Sequence, residues 1–329
     1  MIIPTIAILG TISLAQASVI PKRQPETGSH CTEPPQRIEW RQLEPAQQKE
    51  YIDAVLCLKT KPSRIGLKSL YDDFPHVHFQ LAGSIHNQAP FLPWHRYFTQ
   101  IYFDALGECG FTGPGTYWDW TLDHDSLLAS PVMSPITGFG GNGAANRSEY
   151  ISATSETVQC VDNGPFKDLR PEYLANSPTE ITEGGHCFFR SVVEANEPEA
   201  WETMKGFLTP EYVAEQQKLK NYAEFAPNLE GSPHGTIHAS LGGEMNPTTS
   251  PNEPLFFLHH PQIDHLYWTW QQQNPAKRET EYEGQHLPWG GKDFIPVSLN
   301  DTLNMLGLAP DVQVKDVLST TGPLLCYRY

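Results

Sequence analysis

The chain has 329 residues, of which 38 are Asp or Glu and 22 are Lys or Arg, giving a formal net charge of −16 at pH 7. Nucleic acids and anionic membranes require basic faces on their partners, so this balance argues against both as ligands. Aromatic residues make up 11% of the chain, which is enough to build a large core, and the 29 Pro and 25 Gly indicate long irregular connections.

The first 17 residues are apolar and end in Ala15-Gln16-Ala17, a small-x-small cleavage pattern. We interpret residues 1–17 as a signal peptide, which predicts a secreted, extracellular protein. Residues 18–42 are polar and rich in proline, and we expect an N-terminal arm there. The pair Lys22-Arg23 is either a processing site, which makes residues 18–23 a propeptide, or an ordinary basic pair. Residues 43–329 are then one folded domain, and no later stretch is apolar enough to cross a bilayer.

Helical patterns dominate this domain. A helix is expected to begin at Glu44-Pro45, because Pro is favourable at the first helical position, and to end at Lys61-Pro62. Further helices are predicted at residues 71–86, 92–106, 199–207, 210–225, 234–240 and 254–273. Residues 123–199 show little periodicity and are expected to be a long loop, and the tail after Pro275 is expected to be irregular with a few short strands. The fold class predicted is therefore mainly α.

The six cysteines form no C-x-x-C pair, so they do not suit a zinc ribbon or a thioredoxin-type site. They fit disulfide bonds formed in an oxidising compartment. The expected pairs are Cys31–Cys326 at the chain ends, Cys57–Cys109 near the ends of two helices and Cys160–Cys187 in the long loop. Asn146 and Asn300 each begin an Asn-x-Ser/Thr sequon and are predicted glycosylation sites.

Histidines form two groups, each in an aromatic, helix-like context. The first contains His78, His86 and His95, and the second contains His234, His238 and His260. His234 and His238 are four residues apart, so on a helix their rings lie on one face and can bind one metal. A single buried histidine is more often a packing residue, but six in such contexts favour a metal site. A ligand set of imidazoles without carboxylates or thiolates favours copper or zinc. Three imidazoles per ion leave one coordination position open.

These residues resemble the motifs of the type 3 copper proteins, namely tyrosinases, catechol oxidases and haemocyanins. The first copper motif is similar to His78, His86 and the stretch FLPWHR at residues 91–96. The second resembles HGTIH at residues 234–238, followed by NEPLFFLHHPQID at residues 252–264. YWDW at residues 117–120 and the terminal Tyr327-Arg328-Tyr329 also match. The resemblance covers residues 40–329 and implies a four-helix bundle around a dinuclear copper centre, wrapped in long loops.

The resemblance also implies the metal ligands. His78, His86 and His95 would bind one copper, and His234, His238 and His260 would bind the other. His76 competes with His78, but the family's usual eight-residue step to the next ligand favours His78. His259 competes with His260, but family members with another residue before a single histidine favour His260.

The activity implied is oxidation of o-diphenols (catechols) to o-quinones, with two copper ions as cofactors and dioxygen as co-substrate. Glu230 matches an acidic residue that holds a water near the second copper, and its carboxylate could help to deprotonate a phenol. Gly235 stands where many efficient tyrosinases have asparagine, which favours catechol oxidation over monophenol hydroxylation. Phe257 and Ala239 are expected to line the substrate pocket with Gly235. The alternatives are a tyrosinase that also hydroxylates monophenols, a haemocyanin-like oxygen carrier, and a protein whose histidines only pack.

Two features depart from the family pattern. His265 stands where an arginine usually follows the aspartate of the last motif, so Arg37 or Arg41 is expected to pair with Asp264 instead. The chain ends at the Tyr-x-Tyr motif, so we expect a short, secreted fungal form without a C-terminal shielding domain, acting on small phenolic substrates.

Overall fold

A computed structural model describes residues 31–152 and 154–329. The predicted signal peptide and the Lys22-Arg23 pair lie outside these residues. In the described part of the chain the α-helices are α1 (Pro45–Leu58), α2 (Leu70–Ile85), α3 (Phe91–Glu108), α4 (Val193–Asn196), α5 (Pro198–Met204), α6 (Pro210–Gln216), α7 (Tyr222–Leu229), α8 (Gly235–Leu241), α9 (Phe256–Gln272) and α10 (Pro275–Arg278). The fold is mainly helical, as predicted.

The strands are short and pair in twos. They are β1 (Ile38–Glu39), β2 (Thr116–Tyr117), β3 (Gly143–Ile151), β4 (Glu156–Val161), β5 (Tyr173–Ser177), β6 (Glu180–Glu183), β7 (Gln285–His286), β8 (Ile295–Pro296), β9 (Thr302–Leu303) and β10 (Val312–Gln313). β1 pairs with β2 in parallel, whereas β3–β4, β5–β6, β7–β8 and β9–β10 are antiparallel. Within the described residues the strands therefore form only small two-stranded sheets, while helices form the core.

The first two helices begin at well-formed caps. Glu44 and Gln47 form a reciprocal capping box in front of α1, and Pro45 occupies its first position. Ser69 caps α2 by accepting a hydrogen bond from the backbone N–H of Asp72, at 3.4 Å. Asp72 and Asp73 add negative charge to the first turn of α2, where the helix dipole favours it.

The two helices α3 and α9 form the centre of the molecule. Buried residues occur on every face of both helices, which is the pattern expected of a helix enclosed by protein rather than lying on a surface. Arg96 of α3 forms an ion pair with Asp264 of α9 inside this interface, with Nε and Oδ1 2.5 Å apart. The same two helices carry His95 and His260, so their packing brings the two predicted metal motifs together.

The prediction of a structureless loop at residues 123–199 is wrong in part, because the β3–β4 and β5–β6 hairpins lie within it. Buried and exposed residues do not alternate regularly along these strands. β3 is mostly half-buried or exposed and contains few apolar residues. Their stability comes from backbone pairing and from a small separate cluster formed by Ile151, Val158, Cys160, Leu174 and Cys187. Hairpins stabilised in this way give little period-two signal in a sequence.

Two other segments differ from the sequence prediction. The helix expected at residues 210–225 is divided into α6 and α7, because Asn221 leaves the helical conformation and caps α7 through the N–H of Glu224. The described part of the N-terminal arm is mostly extended and ends in a 3₁₀ turn at Trp40–Gln42, and it belongs to the folded body. Its Trp40 is fully buried and β1 pairs with β2.

The disulfides are Cys31–Cys326, Cys57–Cys109 and Cys160–Cys187, which is the pairing expected from the sequence. The first joins the two ends of the described chain, and the second ties the end of α1 to the end of α3. Among the helices that the structure describes, none combines the length and the apolar character needed to cross a membrane.

Candidate metal centre

The first histidine cluster lies between α2 and α3. His78 is on α2, His86 follows the last residue of α2, and His95 is the fifth residue of α3. Each offers one ring nitrogen, and these nitrogens all lie within 4.8 Å of one another. The Nε2 atoms of His78 and His95 are 3.3 Å apart, so both point at the same small volume.

The second cluster lies between α8 and α9. His234 and His238 are one helical turn apart, as predicted, and His259 and His260 face them from α9. One ring nitrogen from each of these four residues lies within 4.8 Å of the others. The Nε2 atoms of His238 and His260 are 3.3 Å apart, which repeats the arrangement of the first cluster.

The two clusters face each other directly. The rings of His95 and His260 are nearly parallel, with an interplanar angle of 12° and centroids 4.4 Å apart. The rings of His86 and His234 lie 6.5 Å apart on the other side of this pair. The clusters therefore form one centre with room for two adjacent ions rather than two independent sites.

Backbone carbonyl groups orient most of these imidazoles. The Nδ1 atoms of five histidines each donate to one carbonyl oxygen: His78 to Thr248 at 2.7 Å, His86 to Ala82 at 3.2 Å, His95 to Phe91 at 2.8 Å, His234 to Glu230 at 2.9 Å and His238 to Met245 at 2.7 Å. A carbonyl oxygen can only accept, so the proton is assigned to Nδ1 in each ring. The Nε2 lone pair is left free, as a metal ligand requires.

Burial keeps these imidazoles neutral. It lowers the pKa of every histidine in both clusters, and the pKa falls to about 4 for His86 and for His238. A neutral ring presents its lone pair to a metal near neutral pH without competition from a proton.

The buried nitrogens also show that a metal fits. Nε2 of His234, Nδ1 of His260 and both ring nitrogens of His259 are buried without a hydrogen-bond partner. An unpaired buried polar atom costs about 1–3 kcal/mol, so several in one place are unfavourable unless a ligand satisfies them. An all-imidazole donor set satisfied by metal suits copper or zinc.

The structure gives different answers for the two histidines, His76 and His259, that compete with proposed ligands in the sequence. His76 is not in the first cluster, because its ring contacts Tyr173 at a centroid distance of 5.3 Å. His259 does lie in the second cluster, with its ring stacked on that of His234 at 5.3 Å. The structure thus brings four histidines together where the sequence assigned three, and Nε2 of His260 lies 3.3 Å from Nε2 of His238.

Glu230 lies at the edge of the centre, beside the first cluster. Its side chain is only 7% exposed. Its Oε1 accepts a hydrogen bond of 2.6 Å from the backbone N–H of Asn87, the residue after His86. Burial raises the pKa of Glu230 to about 8, against the opposing effect of the Asn87 N–H.

Asn87 is a contact that the sequence analysis missed. It has a left-handed φ of 55°, a conformation that asparagine tolerates better than most residues. An asparagine just past a predicted helix end is a recognisable signal for such a cap. The turn at Asn87 aims its N–H at Glu230, and so links the first cluster to the segment that precedes His234.

Gly235 has helical backbone angles, with φ −60° and ψ −29°. A Cβ atom built there would meet only the carbonyl oxygen of Glu230, at 3.5 Å, which is an ordinary contact. The position therefore has space for a side chain next to Glu230. Ala239, which follows His238, is exposed at the outer side of α8.

The structure corrects the assignment of Phe257 to the substrate pocket. Its side chain is 1% exposed and stacks on Tyr102 in the core, with centroids 3.5 Å apart. Phe256 contacts the metal centre instead, with its ring centroid 3.9 Å from that of His260. The reason is helical periodicity, because residues 256 and 260 are one turn apart on α9 and share a face. The same spacing rule, applied to the sequence, would have identified Phe256.

A tight turn holds the carbonyl group that orients His238. Gly243 has a φ of 51°, and a Cβ atom there would lie 2.4 Å from the carbonyl oxygen of Phe189. The turn therefore requires glycine. The next residue, Glu244, is fully buried and lies 2.6 Å from Nε2 of His186. These contacts fix the position of Met245, whose carbonyl oxygen accepts from His238.

Asp264 is the centre of a second buried network, one turn beyond His260. Arg96, Arg37 and Tyr329 contact its carboxylate at 2.5, 3.4 and 2.7 Å, and Tyr327 also donates to it. Burial alone would raise the pKa of Asp264, but the guanidinium groups of Arg96 and Arg37 outweigh it and hold the pKa below its ordinary value. The carboxylate is therefore charged and fully paired.

Of the two arginines proposed from the sequence, Arg37 is the one that contacts Asp264. Arg41 instead pairs with Glu39 and Asp123. His265, which replaces the usual arginine, stacks on Tyr329 with ring centroids 4.8 Å apart. The charge that the family pattern places after the aspartate is supplied here from the N-terminal segment.

Comparison with known proteins gives consistent results. A family description, "Tyrosinase: Common central domain of tyrosinase", matches residues 68–273. "Tyrosinase-like protein phomQ1" from Diaporthe leptostromiformis is 36% identical over 309 residues, covering 91% of this chain and 78% of its own. "Tyrosinase P" from Aspergillus terreus is 31% identical, covering 91% and 93%. The solved structure of a polyphenol oxidase variant from Thermothelomyces thermophila has a TM-score of 0.72 and 26% identity, covering 90% of this chain and 88% of that one.

Proposed function

Because the chain belongs to the tyrosinase family, we propose that it oxidises o-diphenols to o-quinones while dioxygen is reduced to water. Two o-diphenols give up four electrons and four protons, which convert one dioxygen into two waters. The observation that carries the proposal is the pair of facing histidine clusters, with neutral imidazoles and free Nε2 atoms.

The proposed ligands are His78, His86 and His95 for one copper and His234, His238 and His260 for the other, with His259 as the competing fourth histidine of the second cluster. When bound, the copper pair supplies the redox chemistry, passing electrons from the diphenol to dioxygen. The protein contributes orientation and a dry site. Carbonyl groups fix five of the rings, and Phe256 covers one side of the centre.

Glu230 has the role of a proton acceptor for the incoming phenol in this proposal, and because its pKa is raised to about 8, the ionised form that accepts the proton becomes more abundant as the pH rises toward that value. Its carboxylate is held by the N–H of Asn87 and lies on the segment that leads to His234. Gly235 is partly exposed and Ala239 is exposed, so the proposal has the substrate approach the second cluster from this side of α8. A carboxylate near its point of entry can accept the hydroxyl proton directly or through one water.

The preference for diphenols over monophenols rests on Gly235. Monophenol hydroxylation requires removal of a proton from a phenol before the ring reacts, and an asparagine at this position is expected to help orient the water that takes it. Glycine has no side chain for this task. The space beside the Glu230 carbonyl, where a Cβ atom would make only a 3.5 Å contact, is therefore left without a polar group from residue 235.

The proposed location is extracellular. Three disulfides are formed within the described residues, which have no free cysteine, and such bonds persist in oxidising compartments. Residues 1–17 as a signal peptide, with residues 43–329 as the catalytic domain, complete this proposal.

Hydroxylation of monophenols is the second candidate. It is favoured by the buried carboxylate of Glu230 and by the names of two relatives, which are called tyrosinase or tyrosinase-like. The two candidates share the metal centre and differ only in whether a phenol with one hydroxyl is accepted.

The proposal is tested by measuring oxygen consumption of the copper-loaded protein with matched pairs, catechol against phenol and 4-methylcatechol against 4-methylphenol. The diphenol of each pair should react at least about tenfold faster, a difference of about 1.4 kcal/mol in activation free energy. Equal rates within a pair would favour the tyrosinase candidate, and no turnover of any substrate would contradict both.

The controls are two histidine variants. His86→Ala removes a proposed ligand and should abolish turnover. His124→Ala should retain it, because His124 is partly exposed, donates to the carbonyl oxygen of Thr121 and lies outside both clusters.

A further inference from the structure

A cavity of about 320 Å³ is lined by residues of α2 and α3 and of the β7–β8 hairpin, and Trp94 separates it from His95 of the metal centre, with ring centroids 4.9 Å apart. Its apolar wall contains Ile85, Trp94, Leu287 and Trp289, and none of the clustered histidines lines it. Trp94 is anchored at its base by donating from Nε1 to the carbonyl oxygen of Asn304, at 3.0 Å. The volume is at the lower end of the range for small-ligand sites, about 300–1,000 Å³.

The rim of this cavity exposes unusual apolar surface. Trp289 is 46% exposed, and the neighbouring Phe294 and Ile295 are 56% and 43% exposed. All three belong to the β7–β8 hairpin or its connecting turn. Large apolar side chains grouped at the mouth of a cavity indicate that something covers them.

A covalent attachment point lies on the wall of the same cavity. Asn300 begins the sequon Asn300-Asp301-Thr302, and all three of these residues line the cavity. Asn300 is exposed, and its Oδ1 accepts from Nζ of Lys315 at 3.0 Å, which fixes the direction of its amide group. Asn300 and Trp289 line the same cavity, so a sugar joined to the amide nitrogen starts on the wall that also carries the indole ring.

We propose that Asn300 carries an N-linked glycan whose first sugars lie in this cavity against Trp289. The C–H face of a pyranose ring packs well on an indole ring, because the aromatic face carries negative charge. Ser84 and Asn304 on the lining offer hydrogen bonds to sugar hydroxyls. The disulfides support passage of the chain through the oxidising compartment where such glycans are added.

The second sequon provides an internal comparison. Asn146 is exposed on β3 and is not among the residues that line the cavity. A glycan there projects from an exposed strand and lies outside the cavity that Trp289 lines. The proposal therefore predicts that, on the same molecule, the glycan at Asn300 is less accessible to an endoglycosidase than the glycan at Asn146.

The experiment uses the full chain secreted from a yeast host, with site-resolved glycopeptide mass spectrometry after timed digestion of the folded protein by an endoglycosidase. The Asn300 glycan should be released about tenfold more slowly than in the Trp289→Ala variant, the ratio given by about 1.4 kcal/mol of sugar–protein contact. Trp289→Phe should keep most of the protection, because a phenyl ring also stacks. The Asn146 glycan should be released at one rate in all three proteins.

Absence of a glycan at Asn300 would overturn the proposal, and so would equal release rates from the native chain and from Trp289→Ala. An unoccupied Asn146 leaves the test intact, because the comparison at Asn300 is made between variants. Diphenol oxidation by Trp289→Ala should be unchanged, since the cavity that Trp289 lines includes none of the clustered histidines. The proposal can therefore fail without affecting the proposed function, and the reverse is also true.

Discussion

At the residue scale, we propose that the missing side chain at position 235 decides which phenol reacts. Gly235 begins α8 directly after His234, in a helical conformation that any residue can adopt. The nearest atom to a Cβ placed there is the carbonyl oxygen of Glu230, at 3.5 Å. Nothing in the backbone requires glycine at this position, so a substitution there can test the proposed role without straining the helix.

Gly235→Asn should increase the ratio of monophenol to diphenol turnover by about tenfold, because the amide adds a polar group beside Glu230 that can orient a water. The ratio is measured by oxygen uptake with the matched substrate pairs. The control is Gly231→Asn in the same segment, where an added Cβ meets nothing within 4 Å. An unchanged ratio in Gly235→Asn, or an equal increase in Gly231→Asn, would show that residue 235 does not set the preference.

The sequence motifs identified histidines that the structure brings together, and their role as copper ligands stays a prediction, whereas the assignment of Phe257 by proximity alone was wrong. The six proposed ligands all lie in the two clusters, since each belongs to a spaced motif on a helix. Phe257 was assigned by its nearness to the motif, and it lies in the core against Tyr102. Asn87 was missed because its contact with Glu230 joins segments 143 residues apart.

At the scale of elements, α3 and α9 hold the two halves of the centre in register. The Arg96–Asp264 ion pair lies one residue from His95 and one helical turn from His260. Arg37 and both terminal tyrosines also converge on Asp264. A shift of α9 along α3 would separate the stacked rings of His95 and His260, so this network fixes the distance between the clusters.

Asp264→Asn should lower the free energy of unfolding by about 3–5 kcal/mol, because it leaves two buried guanidinium groups without their counter-charge. Chemical denaturation measures the change. Asp53→Asn is the matched control, since Asp53 forms an exposed pair with Lys49 and its loss should cost less than about 1 kcal/mol. Similar losses in both variants would contradict the role given to the network.

The stability difference between the native protein and Asp264→Asn should depend on pH in one direction. The pKa of Asp264 is lowered in the folded protein, so its contribution to stability is complete above the pKa of an unfolded aspartate. It is lost as the pH falls toward the folded pKa. The difference in the free energy of unfolding between the native protein and Asp264→Asn should therefore become smaller as the pH is lowered.

At the scale of the whole molecule, the metal centre is assembled from distant parts of the chain. The first cluster comes from residues 78–95 and the second from residues 234–260, and the Cys31–Cys326 bond joins the ends around them. The helices and disulfides could be predicted because caps, periodicity and cysteine positions are local signals. The hairpins within residues 123–199 could not, because their strands are polar and their stability comes from pairing and from the Cys160–Cys187 bond.

The most direct test of the central claim is the metal content of the folded chain. Protein stripped with a chelator is reloaded with copper, dialysed, and analysed for copper and zinc by mass spectrometry together with its oxidation of catechol. The account predicts about two coppers per chain, with catechol turnover rising as copper is restored, and loss of copper from His238→Ala but not from His124→Ala. A chain that keeps fewer than about two coppers at full loading, or that oxidises catechol equally without metal, would contradict a dinuclear copper centre.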